Sequence, residues 1–160
     1  MPAKNHDVRG AQFCLAAFLP YKLAIATEQV SRVFAENYEA ICDLTIPEVR
    51  ALAVIAQHGV LSPTLVGQLT TMDKVKVSRA AQSLVAKGLL RQSQDPNDGR
   101  GRLLRLTRKG TATHARFVPV AFRLEAEVFD DLSQAEMTTL NRILAKITTR
   151  LETTGETGPG

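Results

Sequence analysis

The stretch Asp73-Lys74-Val75-Lys76-Val77-Ser78-Arg79-Ala80-Ala81-Gln82-Ser83-Leu84-Val85 holds the side chains with the most to offer a binding partner. Wound at 3.6 residues per turn behind Asp73 as N-cap, a helix from Lys74 to Lys87 puts Val77, Ala80, Ala81, Leu84 and Val85 on a core-facing side. The opposite side presents Val75, Lys76, Arg79, Gln82 and Ser83, with Lys74 in the first turn. An arginine can grip a guanine edge, a glutamine can pair with adenine, and a valine methyl can rest against a thymine methyl. Cations in the first turns oppose the helix dipole, a cost that a polyanion would offset. A second such place is the tip Asp98-Gly99-Arg100-Gly101-Arg102. Its glycines permit a narrow hairpin end, and its arginines suit the negative potential of a narrow minor groove. Asp98 is read as orienting a neighbouring arginine.

Charge sets this region apart. From Lys74 to Lys109 there are ten Lys and Arg against Asp95 and Asp98, a net +8, while the remainder nets −4. A basic segment in an otherwise acidic chain is the footprint of a polyanion partner, here double-stranded DNA. A small enzyme would need a nucleophile with its base, a metal set or a phosphate-cradling glycine loop. None is present, so no enzyme, cofactor or metal is expected. Cys14 and Cys42 make no disulfide framework and lack a cation close in sequence to lower a thiol pKa, so both are expected to be inert. His6, His58 and His114 are scattered. The longest apolar run, Phe13 to Leu19, is too short to span a membrane and has no basic stretch before it. A cytoplasmic protein without a membrane partner is expected.

These side chains need elements to position them, and 160 residues with 44% apolar content suffice for one domain. The spacing of Leu23, Ala26, Val30, Val33, Phe34 and Ile41 predicts a first helix from Phe13 or Tyr21 to about Ile41, with Pro20 as kink or first turn. Thr45-Ile46-Pro47-Glu48 is a capping box opening a second helix that Gly59 closes. Ser62-Pro63 opens a short third helix carrying Leu65, Val66 and Leu69. After the Lys74 helix, Leu89–Gln92 and Arg102–Leu106 read as two strands joined by turn residues. Thr107 caps a fifth helix to about Phe129, interrupted or bent near Pro119, and the Ser133–Glu136 capping box opens a sixth. The predicted fold is mainly α with a small β-hairpin wing: a winged helix-turn-helix core flanked by N- and C-terminal dimerisation helices. Leu132, Leu140, Ile143, Leu144, Ile147 and Leu151 form a stripe too large for so small a core to cover, which points to a homodimer.

The chain resembles the MarR family of transcriptional regulators over roughly residues 13–152. The resemblance rests on Phe18-Leu19-Pro20-Tyr21-Lys22-Leu23, Leu44-Thr45-Ile46-Pro47-Glu48 and Met72-Asp73-Lys74-Val75-Lys76-Val77-Ser78-Arg79. It rests also on the wing, Asp95-Pro96-Asn97-Asp98-Gly99-Arg100 and Leu104-Arg105-Leu106-Thr107. It implies a homodimer in which 13–43 and 108–152 assemble and 45–107 bind DNA. Apart from the resemblance, residues 1–10 are polar without a period and 153–160 small, polar and Gly-rich, so both are expected to be disordered tails. The resemblance implies DNA contacts from Lys74, Lys76, Ser78, Arg79 and Gln82, joined by Val75 from the helix face. In the wing it implies Arg100, and more weakly Arg102, because Gly99 stands where family members commonly have a first arginine. Family members with a reactive first-helix cysteine have it near the position of Tyr21, about two helical turns beyond Cys14. The implied function is a repressor of a palindromic operator, relieved by a small aromatic or phenolic effector whose ligand-binding residues the sequence leaves unidentified. The rival is a winged-helix protein-interaction module without DNA binding.

Overall fold

A computed structural model describes residues 13–96 and 98–155, without the side chains of Arg100 and Thr154. The described residues fall into two compact units that divide between Pro119 and Val120. The expected tails at 1–10 and 156–160 lie outside the described residues.

In the first unit a short 3-10 turn at Leu15–Ala17 leads into α1 (Leu19–Cys42), with Phe18 as N-cap and Pro20 in the first turn. Pro20 is therefore a helix start, where its missing N–H is harmless. Asp43 ends α1 in the left-handed region at φ 53°. The second helix, α2 (Ile46–His58), opens at Thr45, whose backbone N–H donates to Glu48 Oε2 at 2.6 Å. Next come α3 (Pro63–Thr70), with Leu65 N–H donating to Ser62 Oγ at 3.2 Å, and α4 (Lys74–Ala86). Gly88, at φ 70°, stops the chain where few side chains could. Leu52, Ile55, Val66, Leu84 and Leu104 are fully buried between α2, α3, α4 and the sheet.

The wing is larger than the expected pair of strands. β1 (Val60–Leu61), β2 (Leu90–Asp95) and β3 (Asp98–Leu106) form a three-stranded antiparallel sheet in the order β1-β3-β2. Turn-forming composition suggested a loop from Asp95 to Gly101, but cross-strand pairing carries Gln94 opposite Arg102 and Asp95 opposite Asp98, with an irregularity between Gln94 and Asp95. Ladder partners override local propensity there, and the irregularity absorbs the mismatch. β1 is too short to leave an alternation signal.

The fifth helix, α5 (Arg108–Val128), is assigned through Pro119 without interruption, though Pro119 can donate no backbone hydrogen bond. Thr107 caps it: Gly110 N–H donates to Thr107 Oγ1 at 3.0 Å, and Thr107 N–H donates to Leu89 O at 3.0 Å. A Cβ on Gly110 would lie 2.0 Å from Leu89 O, so only glycine allows α5 to start this close to β2. Arg116 donates to Ile41 O at 2.9 Å, and Tyr38 meets Phe117 edge-on at 6.0 Å, tying α1 to the third turn of α5. In the second unit α6 (Gln134–Gly155) opens with Ser133 N–H on Glu136 Oε2 at 2.9 Å. It runs to Gly155, into the segment from Thr153 that its small, polar composition marked as tail, and the Thr153 hydroxyl donates to Arg150 O at 2.9 Å in the last turn.

Candidate nucleic-acid interface

The site is built on the first turns of α4. Asp73 Oδ1 accepts from Lys76 N–H at 2.8 Å, capping the helix, and its Oδ2 stands 3.3 Å from Lys76 Nζ. The backbone N–H of Lys76, with its ammonium, holds the Asp73 carboxyl below the usual range. The carboxylate thereby offsets part of the cost of placing Lys74 and Lys76 at the positive end of the helix dipole. Lys74, Val75, Lys76, Ser78, Arg79 and Gln82 are all exposed, while Val77, Ala80, Ala81 and Leu84 are buried. Two positions depart from the helical wheel. Val85 is exposed rather than in the core, at the edge of a turn whose Leu84 is fully buried. Ser83 turns away from the outer face and donates to Glu48 Oε1 at 2.5 Å.

Beside this helix lies an open groove of about 860 Å³ walled by α3, α4 and the wing. Lys74, Ser78 and Gln82 line it from α4, and Arg102 lines it from β3. Val75, Lys76 and Arg79 stand outside that lining, on the exposed side of the same helix. The side chain of Arg100 lies outside the described residues; its backbone belongs to β3. The groove also takes Thr64 and Gln68 from α3 and Gln92 from β2, which the sequence reading did not single out. Thr64 and Gln68 are one helical turn apart on a helix whose Val66 is buried, so their spacing carried a signal. Of the apolar residues that α3 carries, Val66 is fully buried and Leu65 and Leu69 are exposed.

Behind the helix sits a feature that composition hides. Among the described residues Glu48 is the only buried charged side chain. Its carboxylate accepts from Thr45 N–H and Oγ1 and from Ser83 Oγ, and stands 3.2 Å from Lys87 Nζ. Burial raises its pKa, but the hydrogen bonds from Ser83, Thr45 and Lys87 outweigh that and leave it below the ordinary value. Lys87 also donates to Asp43 O, and Lys109 donates to Lys87 O at 2.8 Å. Two cations of the basic segment are thus engaged within the protein.

Leu140 and Ile147 are half-buried on α6, and Ile143, Leu144 and Leu151 are exposed. Cys14 is exposed; burial pushes the Cys42 thiol up, with Arg116 pulling the other way. Among the described residues no cluster of His, Cys, Asp and Glu could hold a metal, and no helix is long and apolar enough to cross a membrane.

Two helices joined by a tight turn, with the second exposed beside a β-hairpin, define a winged helix-turn-helix protein. Comparison with known proteins narrows the class. The model of the MarR family matches residues 43–101. The multiple antibiotic resistance protein MarR of Salmonella typhimurium is 30% identical over 115 residues, 69% of this chain and 78% of the relative. The HTH-type transcriptional repressor IacR of Pseudomonas putida is 26% identical over 152 residues, 93% of this chain and 89% of the relative. Among solved structures, BpsR of Bordetella bronchiseptica superposes with a TM-score of 0.74 at 28% identity, covering 81% of this chain and 97% of that one. That structure addresses how 6-hydroxynicotinic acid regulates the DNA binding of BpsR. The chain belongs to the MarR family.

Proposed function

We propose that the protein is a homodimeric transcriptional repressor that occupies a palindromic operator and leaves it on binding a small aromatic or phenolic compound. One observation carries the DNA reading: an exposed basic face on α4 beside a groove walled by α3 and the wing. A helix fits the major groove, where Arg79, Gln82 and Val75 would meet base edges and Lys74, Lys76 and Ser78 edges or phosphates. Arg100 and Arg102 would reach the backbone or the adjacent minor groove. Regulation is by occupancy in the cytoplasm, with no reaction catalysed. The repressor name of IacR and the aromatic acid that regulates BpsR support the finer reading.

Residues 13–152 act as one regulator in this reading. Residues 45–107 bind DNA, while 13–43 and 108–152 assemble two copies through Leu140, Ile143, Leu144, Ile147 and Leu151. Phe13, Leu15, Phe18 and Leu19 are exposed near the start of the chain, and Ile143, Leu144 and Leu151 on α6. Apolar surface of that kind is what a second copy would cover. A two-fold dimer would present two α4 helices to half-sites one helical turn apart, hence the palindrome.

The test is a mobility shift on duplex DNA from upstream of the gene, run at about 50 and about 200 mM salt. A specific complex is expected whose affinity falls by orders of magnitude across that range, because released counterions drive binding. No complex with upstream or random duplex would overturn the reading and leave the protein-interaction module.

A further inference from the structure

We infer that Glu48 is a positioning residue of the DNA-reading helix, acting through Ser83 to favour the correct sequence over others. The inference rests on the role proposed above for α4. A carboxylate used only to cap α2 needs no more than Thr45, and in an exposed capping box water takes the remaining lone pairs. Glu48 is instead buried, and its second oxygen is committed to the far end of α4: Ser83 Oγ donates to Oε1 at 2.5 Å and Lys87 Nζ lies 3.2 Å away. Ser83 and Lys87 are one turn apart, so both contacts grip the same edge of the helix. Charge-assisted bonds in a buried site have narrow geometry, and a hydroxyl and an ammonium together restrict rotation of α4 about its axis. Rotation is what displaces Arg79 and Gln82, since both project radially and must meet base edges within hydrogen-bonding tolerance. Phosphate contacts from flexible lysines tolerate such a displacement. The capping bond from Thr45 N–H goes to Oε2, so Ser83 can be removed without touching it.

Ser83→Ala isolates the contact, and Ser83→Thr restores the hydroxyl. Fluorescence anisotropy on an upstream duplex and on a scrambled duplex of the same composition reads the preference between them. Ser83→Ala is expected to lower that preference about tenfold, the order of one misaligned base contact, with affinity for the scrambled duplex unchanged and Ser83→Thr recovering it. A preference kept within about twofold, or both affinities falling together as in general destabilisation, would overturn the inference. If the wild-type protein binds neither duplex, the DNA reading itself fails. Hydrogen exchange on the free protein then decides the positioning role alone. Ser83→Ala should speed exchange at the C-terminal amides of α4 about tenfold and leave α3 unchanged, and unchanged exchange in α4 would overturn it.

Discussion

Arg79 and Arg102 are both exposed arginines, yet their settings differ in what each can sense. Arg79 leaves a capped, packed helix at mid-face, where a rigid base makes bidentate contact with a guanine edge feasible. Arg102 lies on the wing wall of the groove, opposite Gln94 in the β2–β3 ladder. Arg79→Ala should therefore cost about 1–3 kcal/mol of binding and relax preference at one position per half-site. Arg102→Ala should weaken all sequences alike and shallow the salt slope by about one unit. Selection from a randomised duplex library separates the two; a base-specific loss from Arg102→Ala alone would invert the assignment. Glu48 yields a prediction of another kind. Its folded pKa is depressed, so its contribution to stability is full above the ordinary glutamate range and is lost as pH falls through the lowered value. Urea unfolding from about pH 3 to about pH 7 should show a flatter acid limb in Glu48→Gln than in wild type. Parallel profiles would count against the carboxylate's role.

At the scale of elements, the start of α5 is the tightest joint. A methyl on Gly110 would collide with the Leu89 carbonyl, which is backbone and cannot swing aside. Gly110→Ala should lower the unfolding free energy by about 3 kcal/mol or more, measured by chemical denaturation; a loss below about 1 kcal/mol would mean that α5 shifts freely. Helix starts were legible in the sequence because caps are local: Thr45, Ser62, Asp73 and Ser133 each act within three residues. The outer face of α4 was legible for the same reason, since helical spacing alone divides Val77 from Arg79. Ser83 was misplaced because its partner is 35 residues away, beyond any wheel. The groove walls at Thr64, Gln68 and Gln92 needed the packing of α3 and the sheet against α4. The wing was underestimated because pairing across β3, not composition, decides where its strands end.

For the whole molecule, the exposed Ile143, Leu144 and Leu151 of α6 bear on the expected assembly. Leu144→Asp would bury a charge without a partner in the proposed interface, a penalty larger than a dimer of ordinary strength tolerates. Light scattering should report a dimer for the wild type and a monomer for the variant, and operator binding should be lost with dimerisation. A folded wild-type monomer at micromolar concentration would refute the assembly.

The contact between Asp73 and Lys76 has a kinetic meaning for a protein that must search. An ammonium already neutralised by its own helix releases less counterion on meeting a random phosphate, so each wrong encounter is held less tightly. Dwell time on arbitrary duplex shortens, and sliding gives way sooner to hopping. The pair is solvent-exposed and therefore weak, so a phosphate held close by the rest of the α4 face would displace the Asp73 carboxylate readily. The cap that begins the helix would thus also act as a brake on false arrest, and Asp73→Asn should lengthen residence on non-specific DNA in single-molecule tracking.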